Sequence, residues 1–136
     1  MRIEWATVCL EAGYEEEGWA SIRGVLQDAM EIGDGFPALG IELQVAPALF
    51  FRWDELEAEE HAVRWSVIGP DLTTLCGDGE EGFKVDGPGV RQPPGSEGHV
   101  LFPLVVTFDA HEPGQYQIQL RLADSLVTLP YYVLAV

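Results

Sequence analysis

Positive charge is scarce in this chain. One lysine, Lys84, and six arginines stand against 23 acidic residues among 136, for a net charge of −16. Nucleic-acid phosphates and anionic membrane surfaces both repel such a chain, so neither is expected as a partner, and the acidity reads as serving solubility. A cationic partner or a divalent metal is what that charge leaves open. Cysteine is nearly absent too: Cys9 and Cys76 are too few for a disulfide framework, lack metal-ligand spacing, and read as reduced thiols. No apolar run approaches the roughly 18 residues of a membrane span. The start, Met1-Arg2-Ile3-Glu4-Trp5, carries charge where a secretion signal has its apolar stretch. A soluble, cytoplasmic protein is expected. No strong helical periodicity occurs either, which removes the helical fold classes.

What the chain does have is alternation. From Val100 to Phe108 the even positions are Val, Phe, Leu, Val and Phe; beyond His111-Glu112-Pro113-Gly114 they resume as Tyr116, Ile118, Leu120 and Leu122, opposite Gln115, Gln117, Gln119 and Arg121. Period two means strands with one dry and one wet face. The same pattern runs through Leu39, Ile41, Leu43 and Val45, and through Val63, Trp65 and Val67. Ile3 to Leu10 is apolar on both faces, and Trp19 to Leu26 alternates around Gly24, where close packing against an aromatic ring is expected. Apolar residues make up 47% of the chain, enough for one core, so residues 1–136 are expected to form a single domain. Seven to nine short strands with turn signals between them predict an all-β fold: a two-sheet antiparallel β-sandwich of immunoglobulin-like or related topology, with a closed β-barrel as the alternative.

Some stretches break the pattern. Gln27 to Gly35 reads as a crossing loop with one helical turn around Met30. Pro47 lacks an N–H for a ladder, which predicts an edge or a bend, and Pro130 predicts an edge for the last strand. Next to Pro47, the cluster Leu49, Phe50, Phe51 and Trp53 puts large apolar groups on both faces of an expected edge strand. That makes it the candidate interface, either to a protein partner or to a second copy in a homo-oligomer. Asp54 to Glu60 is an acidic run expected to be solvated. Residues 77–98 hold seven glycines and three prolines and read as the most mobile loop, with a brief strand over Leu72–Cys76 before it.

The order Ile3-Glu4-Trp5-Ala6, an acidic turn, Ile22-Arg23-Gly24, Phe36-Pro37 before an alternating strand, and Pro113-Gly114-x-Tyr116 resembles a family of small bacterial β-sandwich proteins catalogued only as a domain of unknown function. The likeness spans nearly the whole chain. It implies the sandwich fold, with Tyr116 plugging the core beside its turn, and implies no activity, cofactor or catalytic residue.

Chemical signatures are weak. Asp78, Glu80, Glu81 and Asp86 in the glycine-rich segment are the candidate metal ligands, since calcium takes six to eight oxygens at flexible geometry, but they lack EF-hand spacing. His99 and His111 bracket one predicted strand and would lie far apart. Gly77-x-Gly79 and Gly87-x-Gly89 lack the lysine and hydroxyl of a phosphate loop. No serine sits in a nucleophile elbow, and acidic neighbours are expected to raise the Cys76 pKa. The expectation is a non-enzymatic protein-binding or assembly module without cofactor. The alternative is a small hydrolase or divalent-metal-dependent enzyme using the acidic loops.

Overall fold

The computed structural model describes residues 1–15, 20–52, 60–83 and 95–136. Within them the chain is all-β. In order, the strands are β1 (Arg2–Cys9), β2 (Glu11–Tyr14), β3 (Ala20–Arg23), β4 (Ala29–Ile32), β5 (Ala38–Arg52), β6 (His61–Ile68), β7 (Leu75–Phe83), β8 (Glu97–Leu101), β9 (Leu104–Ala110), β10 (Gly114–Leu122) and β11 (Ser125–Ala135). They form three sheets rather than two: β1-β5-β8 with β9 also on β5, β4-β11-β10-β6-β7, and the hairpin β2-β3. One pairing, β4 with β11, is parallel.

The alternating segments behave as their period demands. Ile41, Leu43, Val45 and Leu49 from β5, Leu104, Val106 and Phe108 from β9, Val63, Trp65 and Val67 from β6, and Tyr116, Ile118, Leu120 and Leu122 from β10 meet in one core. Both larger sheets thus contribute side chains to a single core. The Phe108 and Tyr116 rings lie 5.4 Å apart. The Tyr116 hydroxyl donates to the Glu112 carbonyl at 2.7 Å, tying the turn between β9 and β10 to the core.

Pro47 differs from expectation. It lies buried in the interior of β5, opposite Ala6 of β1, because the far side of β5 changes partner there: β9 pairs up to Val45 and β8 starts at Ala48. Pro47 still accepts the Phe102 N–H at 2.9 Å, and its missing donor falls in the gap between the two strands. The predicted 100–108 strand is thus broken at Phe102 and Pro103. Pro130 fits its expectation locally, since β4 covers β11 only from Tyr132 onward. Residues 29–32 are strand β4, not a helical turn; Tyr132 N–H donates to the Asp28 carbonyl as that pairing begins.

Of the glycine-rich segment 77–98 expected as loop around a short strand at Phe83-Lys84-Val85, residues 77–83 belong to β7 and 97–98 to β8, while 84–94, like 54–59 of the acidic run, lie outside the described residues; the expected brief strand at 72–76 starts only at Leu75. Tertiary packing explains why glycine serves here. A Cβ on Gly77 would sit 2.3 Å from the Thr107 carbonyl oxygen, and one on Gly79 would sit 2.4 Å from the Trp65 ring. β7 therefore approaches β9 backbone to backbone at Gly77 and packs closely on the Trp65 ring at Gly79. Ahead of β7, the Asp71 carboxylate accepts the N–H groups of Thr73 and Thr74 at 2.9 and 2.8 Å, and the Thr74 hydroxyl as well. These bonds, the hydroxyl foremost, hold its pKa well below the usual carboxylate range.

Gly77→Ala is expected to cost about 1–3 kcal/mol, as neither backbone can yield. Gly82→Ala, whose Cβ finds only the His61 carbonyl at 3.8 Å, is expected to stay within about 0.5 kcal/mol of wild type in urea denaturation. The depressed Asp71 pKa places its stabilisation above the unfolded value of 3.8 and removes it as pH falls through the folded one. The urea-midpoint advantage of wild type over Asp71→Ala should hold from neutral pH to about pH 5 and shrink below about pH 4.

Candidate binding face

The outer face of the β1-β5-β8 sheet is built in two zones. Thr7 and Cys9 from β1, Ala46 and Ala48 from β5, and Leu101 from β8 are buried on this side although they point away from the main core. The cover is the β2-β3 hairpin, whose Ala12 and Ile22 pack onto Cys9, Ala46, Ala48 and Leu101 as a second, smaller core. At its base the hairpin is tied to β1: Gln27 N–H donates to the Val8 carbonyl at 3.0 Å and Leu26 N–H to the Thr7 hydroxyl at 2.9 Å. Gly24, at φ 65°, lies against the Leu10 side chain, an aliphatic neighbour in place of the expected aromatic ring.

At its far end Tyr14 reaches β8. Its hydroxyl donates to the Leu101 carbonyl at 2.6 Å and accepts the Leu101 N–H at 2.8 Å. Because Phe102 turns its N–H toward β5, those Leu101 groups face away from β5, along the strand's free edge. Burial raises the Tyr14 pKa and the Leu101 N–H partly offsets that, so the phenol stays protonated and able to donate at neutral pH.

Between hairpin and sheet lies an open groove of about 520 Å³ lined by Trp5, Tyr14, Ile22, Ala48, His99 and Leu101 among others. Trp5 is 47% exposed and Tyr14 50%, so two large aromatic groups flank a mostly apolar channel. His99 also borders a second, polar hollow with Arg2, Glu4, Phe50, Arg52 and Glu97. Arg2, Phe50 and His99 are directly opposite one another on β1, β5 and β8. The guanidinium lies 4.4 Å from the Phe50 ring centre, and the Phe50 and His99 rings are 5.2 Å apart. A cation over an exposed ring contributes about 0.5–1 kcal/mol, enough to order this row but not to bury it.

The sequence-predicted interface cluster divides by face. Leu49 and Phe51 are buried within the chain, Phe50 takes the opposite side and is half-buried in the row just described, and Trp53 lies outside the described residues. The candidate metal ligands divide likewise. Asp78 and Glu80 share one face of strand β7, Glu81 points to the other, Glu80 is paired with Arg64 at 3.0 Å, and Asp86 lies outside the described residues. Among the described residues no three His, Cys, Asp or Glu side chains stand close enough to hold a metal. Burial, then the carboxylates of Asp71, Asp109 and Glu112, push the Cys76 thiol up, as its acidic neighbours implied. Tyr14 was marked by no sequence motif, Trp5 entered only through the Ile3-Glu4-Trp5-Ala6 order of the resemblance, and His99 only by its distance from His111. The one available signal was Trp5, an aromatic residue in a strand otherwise apolar on both faces.

No family model, curated protein or solved structure matches the chain. No helix among the described residues is long and apolar enough to cross a membrane.

Tyr14→Phe removes both bonds to Leu101 while keeping the ring. A loss of about 1–2 kcal/mol in urea denaturation is expected, together with faster amide exchange at Leu101.

Proposed function

We propose that the protein is a non-catalytic binding module of immunoglobulin-like sandwich architecture, acting in a reducing, cytoplasmic setting, and that it holds a protein partner on the outer face of the β1-β5-β8 sheet. Support for the architecture comes from three features: β1, β5 and β9 pair antiparallel, β4 runs parallel to the final strand, and Tyr116 bonds back to Glu112 where the chain crosses from one sheet to the other. It is also the fold that the family resemblance implies.

The binding reading is carried by the groove between Trp5 and Tyr14. Aromatic side chains dominate the energetics of protein interfaces when they are large, accessible and already ordered. Tyr14 is already ordered, since its hydroxyl is clamped to Leu101, so little side-chain entropy remains to be lost on binding. Phe50 and Arg2 extend the same surface, which keeps one residue of the sequence-predicted cluster in the contact.

The test compares wild type, Trp5→Ala and Leu72→Ala, the last an exposed leucine outside the groove. Affinity capture from the native cell, with sedimentation velocity to detect self-association, is expected to yield one stoichiometric partner. Trp5→Ala should weaken it by about 2 kcal/mol or more, roughly thirty-fold, while Leu72→Ala holds it as wild type does. Identical binding by all three proteins would refute the assignment.

A further inference from the structure

The opposite side of the molecule carries an arrangement that the groove does not explain. Across the outer face of the five-stranded sheet, Glu80 of β7, Arg64 of β6, Arg121 of β10 and Leu126 of β11 stand in one row, each directly opposite the next. Two arginines thus face each other on adjacent strands, a placement that costs stability. Glu80 compensates Arg64 at 3.0 Å. Among the described residues Arg121 has no acidic partner, in a chain with more than three carboxylates for every basic group. The row therefore holds, at Arg121, one positive charge with no carboxylate paired to it among the described residues, on a strongly negative protein.

That charge opens onto a hollow of about 690 Å³, lined also by Ser66, Gln119, Leu75 and Leu126. Ser66 and Gln119 form the next row, hydroxyl to amide at 3.4 Å, and offer neutral hydrogen-bonding groups beside the guanidinium. Leu75 and Leu126 are 55% and 50% exposed and give the hollow apolar flanks. Asp78 and Glu80 line it on the β7 side, which limits how much negative charge it accepts.

We infer that this hollow binds a carboxylate attached to an apolar group, with Arg121 as its anchor. The planar fork of arginine matches a carboxylate in two parallel hydrogen bonds, and because Asp78 and Glu80 balance the two arginines of the lining, a single negative charge set on Arg121 is the most the hollow suits. A dianion would overcompensate the row and meet the repulsion of the whole chain. The leucines then cover the apolar part of the ligand, whether that ligand is a small organic acid or the C-terminal residue of a peptide. This site lies on the other sheet from the Trp5 groove and stands or falls independently of it.

The test is a titration of isotope-labelled protein, followed by backbone amide NMR, with N-acetyl-leucine and with its uncharged amide. The acid should shift the amides of residues 64–66 and 119–121, and the amide should not. Arg121→Gln should weaken the response about ten-fold, while Arg23→Gln, which removes a cation paired with Glu11 on the hairpin, leaves it unchanged. A peptide ending in free leucine that binds more tightly than the acid identifies a peptide ligand; equal binding identifies a small acid. In the absence of ligand, Arg121→Gln should unfold at the same urea concentration as wild type or a higher one, because it relieves the facing arginines. Equal shifts with acid and amide, tighter binding of inorganic sulfate, or a clearly lower unfolding midpoint for Arg121→Gln would overturn the inference.

Discussion

The constraint on which the rest of the structure depends is the burial of β5 on both faces. Its 15 residues make it the longest strand described, with β1 along one side and β8 and β9 in succession along the other. From Val45 to Leu49 every residue is buried, Val45 and Leu49 in the main core and Ala46 and Ala48 beneath the hairpin. A strand covered on one face alone would leave those alanines in water and give the hairpin nothing to sit on. Small side chains at 46 and 48 let the hairpin lie close, and that closeness brings Tyr14 within reach of β8. The groove is thus a by-product of how the chain covers its central strand.

Strand identity was legible wherever one face was dry and the other wet, as in Val63 to Val67 and Tyr116 to Leu122. The period is local, and burial in the main core only confirms it. Legibility failed where a local rule was answered from far away in the chain. Pro47 reads as an edge residue until β9 and β8 are seen to trade places opposite it. Gly77 and Gly79 read as loop until the Thr107 backbone and the Trp65 ring are found filling the space where side chains would be. Residues 29–32 alternate over only four positions, too short a run to read as strand, and they pair with the side of β11 left open beyond Tyr132.

The two candidate surfaces were hidden for the same reason. Trp5 and Tyr14 are nine residues apart in sequence, and the groove between them exists only once the hairpin has crossed the sheet. Arg64 and Arg121 are far apart in the chain and meet through strand register, which a one-residue slip would abolish. The acidic segments drew attention in the sequence because they are contiguous. The structure turns that emphasis round: in a chain so rich in carboxylates, the informative groups are the few cations and the way each one is paired.

The Tyr14 clamp has a consequence for how this protein meets other chains. A free strand edge is a template, and its unpaired amides and carbonyls invite a further strand and then sheet-to-sheet polymerisation. By holding both backbone groups of Leu101, a single phenol takes up one docking position of that template and lays a hairpin over the strand beside it. Strand addition is closed at this point on β8. A neighbouring chain with a bare edge meets a side chain at this position rather than unpaired backbone.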